Sequence, residues 1–226
     1  MIKENLNYLK ELIAARCITA GRGEDSVTLV AVSKLFGTDK IEEALAAGQR
    51  HFGENYAQEF RDKHALLPGK GITWHFIGTL QTNKVKYVAG SADYIHSVDS
   101  LKILEEINRQ AEKKGARQKV MIEFKSSFET TKSGSNSEDV FMLAESAGKL
   151  NNIEVVGLMT MAPFVDDVTI IRDAFVRTRL LRDELNRSGY TSIKELSMGM
   201  TGDYTIAIEE GSTFLRIGTA IFGERH

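Results

Sequence analysis

A chain of 226 residues, 42% of them apolar, with a formal net charge of −2, is long enough for one substantial core, and a single domain over residues 1–226 is expected. Its basic residues are spread along the chain, which leaves no electrostatic footprint for a nucleic-acid backbone or an anionic membrane. The one cysteine, Cys17, has no partner for an intramolecular disulfide, no stretch approaches a membrane span and no signal peptide opens the sequence, so a cytoplasmic location is expected.

The opening segment MIKENLNYLKELIAARC sets Leu6, Leu9 and Ile13 at helical intervals between charged residues, and predicts an amphipathic helix. Beyond it, short apolar runs alternate with amphipathic stretches, the signature of parallel strands joined by crossover helices. Eight strands are predicted, over residues 27–32, 51–53, 73–77, 94–98, 119–124, 154–159, 195–198 and 213–217. Eight such units favour closure into a single (β/α)8 TIM-type barrel of the α/β class. An open doubly wound sheet would announce itself with a glycine-rich nucleotide turn after an early strand, and none occurs. The sequence ends at His226, soon after the eighth strand, so little room is expected for a final helix, and the N-terminal helix is expected to fill that gap. Residues 126–137, rich in Ser, Thr and Gly, read as a long loop after the fifth strand, on the face where barrels build their active sites.

In the first strand, TLVAVSK, alternation places Thr28, Val30, Val32 and Lys34 on one face and ends the run at Lys34. If that face is the barrel interior, a lysine beside valines is partly desolvated and offers a neutral amine for a Schiff base. The alternative is a lysine solvated at a strand end. HFGENYAQE puts Asn55 where the second strand turns into a helix, either as a donor to a ligand oxygen or as the cap of that helix. In WHFIGTLQTNK, Trp74 and His75 point to opposite faces, and Trp74 reads as packing. His51, His75 and His96 all fall on strands, but without an HxH or HExxH spacing each stands alone; they read as packing residues, and no metal is expected. Glu54, Asp99 and Glu123 are carboxylates that a glycosidase would pair, with nothing else to support a sugar site.

LSMGMTGDY (196–204) runs from the seventh strand into a helix past Gly199 and Gly202, and FLRIGTAIFG (214–223) ends the eighth strand on Gly218 and Thr219. Both are small-residue turns whose amides suit a phosphate, and barrels commonly bind phosphate in the loops after strands seven and eight. Each glycine alone reads equally as a turn residue. Arg216 alternates with Phe214 and Gly218, and in a closed barrel it shares the inward face with Lys34. There it meets either a ring nitrogen, which it would keep unprotonated, or a loop carboxylate.

Taken in order along nearly the whole chain, VAVSK, FGENYAQE, WHFIGTLQTNK, HSVDS, KSG, GLMTMAP, LSMGMTGDY and RIGTAIFG resemble the pyridoxal phosphate homeostasis proteins, the YggS/PROSC type, which are similar to the N-terminal barrel domain of alanine racemase. The resemblance implies a fold type III barrel and pyridoxal 5′-phosphate held as a Schiff base on Lys34, with Arg216 at the pyridine nitrogen. It also implies that Ser197, Thr201, Gly218 and Thr219 fall in the two phosphate motifs and that Asn55 lies in a GEN turn near the cofactor. The role implied is control of pyridoxal phosphate supply without established turnover, with apo-enzymes as recipients; a monomer is expected, with no nucleic-acid or membrane partner.

The competing function is an amino-acid racemase or another pyridoxal phosphate enzyme acting on small amino acids. Alanine racemase draws one of its two bases from a partner subunit's additional domain, for which no counterpart is expected here. An open face favours cofactor exchange over carbanion chemistry, although Tyr56 or Tyr204 would serve as a second base. Two departures from the family pattern stand at the rim. LFGTDK follows Lys34 in place of a Lys-Pro-like turn, and Phe124, Lys125 and Ser126 replace Val-Asn-Ile, which makes Lys125 a second basic group there.

Overall fold

The structure, a computed structural model, describes residues 1–126 and 134–224. Strands β1 (Thr28–Val32), β2 (His51–Glu54), β3 (Thr73–Phe76), β4 (Tyr94–Val98), β5 (Gln118–Glu123), β6 (Ile153–Met159), β7 (Glu195–Ser197) and β8 (Phe214–Ile217) follow the predicted runs to within one residue. All are parallel and close into a barrel in sequence order, with β8 returning to β1 in the register Val30↔Arg216. Helices α2 (Thr38–Ala46), α3 (Ala57–Leu66), α4 (Val85–Val88), α5 (Leu101–Lys113), α6 (Ser137–Ala147), α7 (Val168–Arg187) and α8 (Tyr204–Glu209) occupy the crossovers.

The two-residue period of the strands divides the interior into two layers. Leu29, Ala31, Phe52, Trp74, Phe76, Ile95, Val120, Ile122, Leu196 and Leu215 point outward and share one large core with the helices. Val30, Met121, Val156, Met159 and Phe214 point inward and pack with Tyr94 in the lumen. Trp74 is therefore a packing residue, edge-on to Phe60 at 5.8 Å.

α1 (Ile2–Thr19) buries Ile2, Leu6, Leu9, Ile13 and Cys17 along one stripe and packs on α2, α8 and the single turn α9 (Thr219–Phe222) that follows β8. Asn5 Nδ2 donates to Ile221 O at 3.0 Å, so the N-terminal helix covers the sector that one helical turn leaves bare. Of the loop expected after β5, residues 127–133 lie outside the described residues, and with them Lys132 and Ser133 of the KSG motif. On its near side Phe124 bridges to Ser135; on its far side Asn136 caps α6 by accepting from Asp139 N at 2.9 Å. Among the described residues no helix is long and apolar enough to cross a membrane.

β6 shifts its register against β5 near Val155 and Gly157, a bulge that presses Gly157 onto β7. A Cβ at Gly157 would overlap the backbone carbonyl of Glu195. Gly157→Ala is therefore expected to lower stability by roughly 1–3 kcal/mol in urea unfolding, the cost of overpacking a closed core. Gly23→Ala, where a Cβ meets nothing within 4 Å, is expected to leave the midpoint unchanged.

Candidate functional site

Lys34 is half-buried, one residue beyond a β1 extension that ends at the fully buried Ser33. The turn is tight: Phe36 N donates to Ser33 O at 3.1 Å, and Leu35 takes φ +67°, a region that side chains with a Cβ rarely occupy. A buried ion cluster holds it there. Lys63 Nζ of α3 donates to Ser33 O at 2.8 Å and to Glu54 Oε1 and Glu59 Oε1, each at 2.7 Å. Ser33 Oγ donates to Glu54 Oε1 at 2.7 Å, and Leu35 N donates to Glu59 Oε1 at 2.6 Å. One ammonium thus ties the carbonyl before Lys34 to the carboxylate that grips the amide after it. Burial pushes the Glu54 carboxyl up, with Lys63 and Ser33 opposing.

Across the β1/β8 seam, Arg216 is buried at the top of the lumen. Its Nη1 donates to Ser197 Oγ at 2.6 Å and its Nη2 to Thr160 O at 2.9 Å. That carbonyl is itself fixed, because the Thr160 hydroxyl donates to Phe124 O at 2.9 Å and meets Ser126 Oγ at 2.8 Å. Burial pulls the Arg216 pKa down to about 10, with Asp203 and Glu123 opposing, so the group stays cationic at neutral pH.

Below Arg216 the structure corrects the reading of three solitary histidines. His51 Nδ1 lies 3.0 Å from His75 Nε2, His75 Nδ1 lies 2.9 Å from His96 Nε2, and His96 Nδ1 lies 2.8 Å from Ser197 Oγ. All three sit on the inward parity of β2, β3 and β4, and the stagger of a closed barrel raises each above the last. Tyr94 stacks on His75 at 4.8 Å, and Phe214 packs 5.8 Å from His96. The same parity separates the three carboxylates. Glu54 lies outside the sheet with Lys63, Glu123 shares the inward parity of Met121, and Asp99 sits beyond β4 beside Ser100.

The two small-residue turns are neighbours on the same face, since Arg216 N donates to Gly199 O at 2.9 Å. Gly199 has φ +99°, and a Cβ there would sit 2.6 Å from Ala207 Cβ. Asp203 ties the first turn by accepting from Met200 N at 2.5 Å, and Gly218 stands at the start of α9. Thr201 and Thr219 are exposed at the rim. Ser197 belongs to the same motif, but its hydroxyl is turned into the lumen, onto Arg216 and His96. Asn55 does not cap α3, whose N-cap is Tyr56; its backbone lies so close to Gly78 that a Cβ there would overlap the Asn55 carbonyl. The C-terminal mouth thus brings together Lys34, Asn55, Thr201, Arg216, Gly218 and Thr219. Sequence reasoning missed Lys63 and the linkage of the histidines. The spacing of Glu59 and Lys63, i and i+4 on one helix, was the readable signal for the first.

The sequence profile of the alanine racemase N-terminal domain matches residues 2–226. The pyridoxal phosphate homeostasis protein of Aquifex aeolicus (strain VF5) is 42% identical over 222 residues, covering 98% of this chain and 97% of that protein. The structure of PipY from Synechococcus elongatus PCC7942 with PLP bound superposes with a TM-score of 0.87 at 34% identity, covering 99% of this chain and 100% of that one. Alanine racemase of Clostridium difficile 630 superposes with a TM-score of 0.75 at 17% identity, over 99% of this chain and 56% of that chain, a likeness of fold.

The ion cluster behind Lys34 generates a stability prediction. Lys63→Met leaves Glu54 and Ser33 O buried without their ammonium, and is expected to cost roughly 3–5 kcal/mol in urea unfolding. Adding Glu54→Met is expected to recover much of that loss while leaving the Lys34 turn loosened, which differential proteolysis at Leu35 would reveal.

Proposed function

The chain belongs to the family of the pyridoxal phosphate homeostasis proteins, built on the alanine racemase N-terminal domain, and on that footing we propose that it holds pyridoxal 5′-phosphate at the C-terminal mouth of its barrel through Lys34. The observation that carries this reading is the placement of Lys34 just past the end of β1 and of the buried Arg216 on β8, two strands that pair in register at the same mouth of the barrel.

The residues fit the group part by part. An amine stands at Lys34, glycine-backed turns at Gly199 and Gly218 suit a phosphate, with the Thr201 and Thr219 hydroxyls beside them, and a guanidinium suits a pyridine nitrogen. When bound, the cofactor supplies an aldehyde to amines and a ring that withdraws electrons. Lys34 Nζ is the attachment point. Arg216 would donate a hydrogen bond to the ring nitrogen and, cationic at neutral pH, would not give up that proton, which would keep the nitrogen unprotonated. The Asn55 amide, which makes no side-chain hydrogen bond among the described residues, is available to a ring oxygen. Ser197 acts one step back, by holding Arg216.

We read the chain as a carrier of the cofactor for apo-enzymes in the cytoplasm rather than as a racemase. Racemisation needs an oriented base on each face of the substrate. Tyr56 is 48% exposed, with no hydrogen bond to its hydroxyl among the described residues, and Tyr204 packs against the core. The buried free thiol of Cys17 is in keeping with a reducing compartment.

Borohydride reduction followed by peptide mass mapping is expected to place the adduct on Lys34; an adduct on another lysine refutes the site. Gly218→Val is expected to weaken cofactor affinity roughly tenfold, about 1.4 kcal/mol, and Thr219→Ser much less, because the cradle is backbone. Solvent deuterium is not expected to enter the α-position of amino acids, whereas loaded protein should reactivate an apo-enzyme. Exchange that depends on Lys34 would favour the racemase.

A further inference from the structure

Hydrogen bonds between imidazoles have a direction, because each neutral ring carries one N–H and one lone pair. Arg216 sets it here. A guanidinium only donates, so Ser197 Oγ accepts from Nη1, and its own proton is left for its other partner among the described residues, His96 Nδ1. His96 then bears its proton on Nε2 and donates to His75 Nδ1. His75 in turn donates from Nε2 to His51 Nδ1. All three rings are therefore the Nε2–H tautomer.

The two inner rings are neutral. Burial holds His75 well below the ordinary histidine pKa, helped by His96 and His51, and burial holds His96 well below it, helped by Arg216. His51 differs in place. It lines a cleft of about 450 Å³ at the N-terminal mouth of the barrel, opposite Lys34, with Asp93, Tyr94, Arg117 and Lys119 as its charged and titratable neighbours. Val30 and Phe214, which complete the lumen beside the chain, carry no charge. Burial lowers the His51 pKa below 6.5, and Asp93 opposes.

We propose that His51, His75 and His96 are positioning residues for Arg216, a one-way chain whose direction reverses when His51 takes up a proton at the far mouth of the barrel. The inference rests on the reading that Arg216 meets the pyridine nitrogen. A charged His51 donates from both nitrogens. His75 must then accept at Nε2 and carry its proton on Nδ1, and His96 must do the same. Ser197 Oγ now faces two donors, and its hydroxyl proton loses its acceptor in a buried site, which is costly. The serine rotates, and Arg216 loses one of the two oxygens that hold it. The proton count balances: one is gained, at His51, while each inner ring and the hydroxyl keep one. Because the His51 pKa is lowered, the ordered chain persists at neutral pH and reverses only as pH falls through that lowered value.

Long-range ¹⁵N–¹H NMR of the full chain, without cofactor, reads both nitrogens of every ring. The expected result is three Nε2–H rings at about pH 8, with His75 and His96 switching to Nδ1–H in step with the protonation of His51 as the pH is lowered. His51→Gln offers an amide oxygen to His75 and does not titrate, so it should keep the high-pH pattern throughout. Pyridoxal phosphate titrated into both proteins adds a second reading. Across the observed His51 titration the wild-type affinity should fall roughly five- to tenfold more than that of His51→Gln over the same pH interval, a comparison that cancels the cofactor's own titration. Tautomers that stay fixed while His51 titrates, or equal pH dependence in the two proteins, would overturn the proposal. Failure of either protein to bind the cofactor at any pH would overturn the reading of the site instead, and the tautomer series would still decide the chain.

Discussion

A guanidinium buried in a barrel keeps its charge at neutral pH and has little water to share it with, so the groups around it have to answer that charge and its N–H groups. Ser197 Oγ and Thr160 O accept from Arg216, Glu123 and Asp203 oppose the effect of burial on it, and the nearest histidine stays neutral. These groups come from β4, β5, β7 and the segments after β6 and β7. No two neighbours in sequence could assemble them. The arrangement exists only once the eight strands have closed, and closure in turn depends on close backbone approaches such as Gly157 against Glu195.

Lys34 depends on the same closure from the other side of the sheet. β1 lies between β8, which carries Arg216, and β2, which carries Glu54. Inward alternation aims the strand end at the lumen, and outward alternation hands Ser33 and Glu54 to Lys63 of α3. The face that could do chemistry is therefore held by contacts on the face that cannot. A buried cluster of this kind adds little net stability, but it fixes the backbone on both sides of one lysine, including a leucine at positive φ.

The strands were legible because a two-residue period survives in short segments, and that period alone turned Arg216 toward the lumen. The stripe Leu6, Leu9 and Ile13 likewise identified α1 as a helix with one covered face. The histidines were not legible as a set. Parity says that His51, His75 and His96 face the lumen, but their heights follow from strand stagger, which is a property of the closed barrel and not of any strand. Ser197 was assigned to a phosphate turn by its motif, whereas its alternation with the outward Leu196 sends its hydroxyl inward. The position of Asn55 allowed two readings, and the chain entering α3 one residue later, at Tyr56, leaves the cap reading without support.

The most direct test of the account is the ¹⁵N chemical shift of ring-labelled pyridoxal phosphate bound to the protein at neutral pH. A nitrogen that accepts from Arg216 should resonate as an unprotonated, hydrogen-bonded pyridine and should move toward a free pyridine in Arg216→Met. A protonated ring nitrogen in the wild-type complex, or a shift that Arg216→Met leaves unchanged, would contradict the central role given to the buried guanidinium.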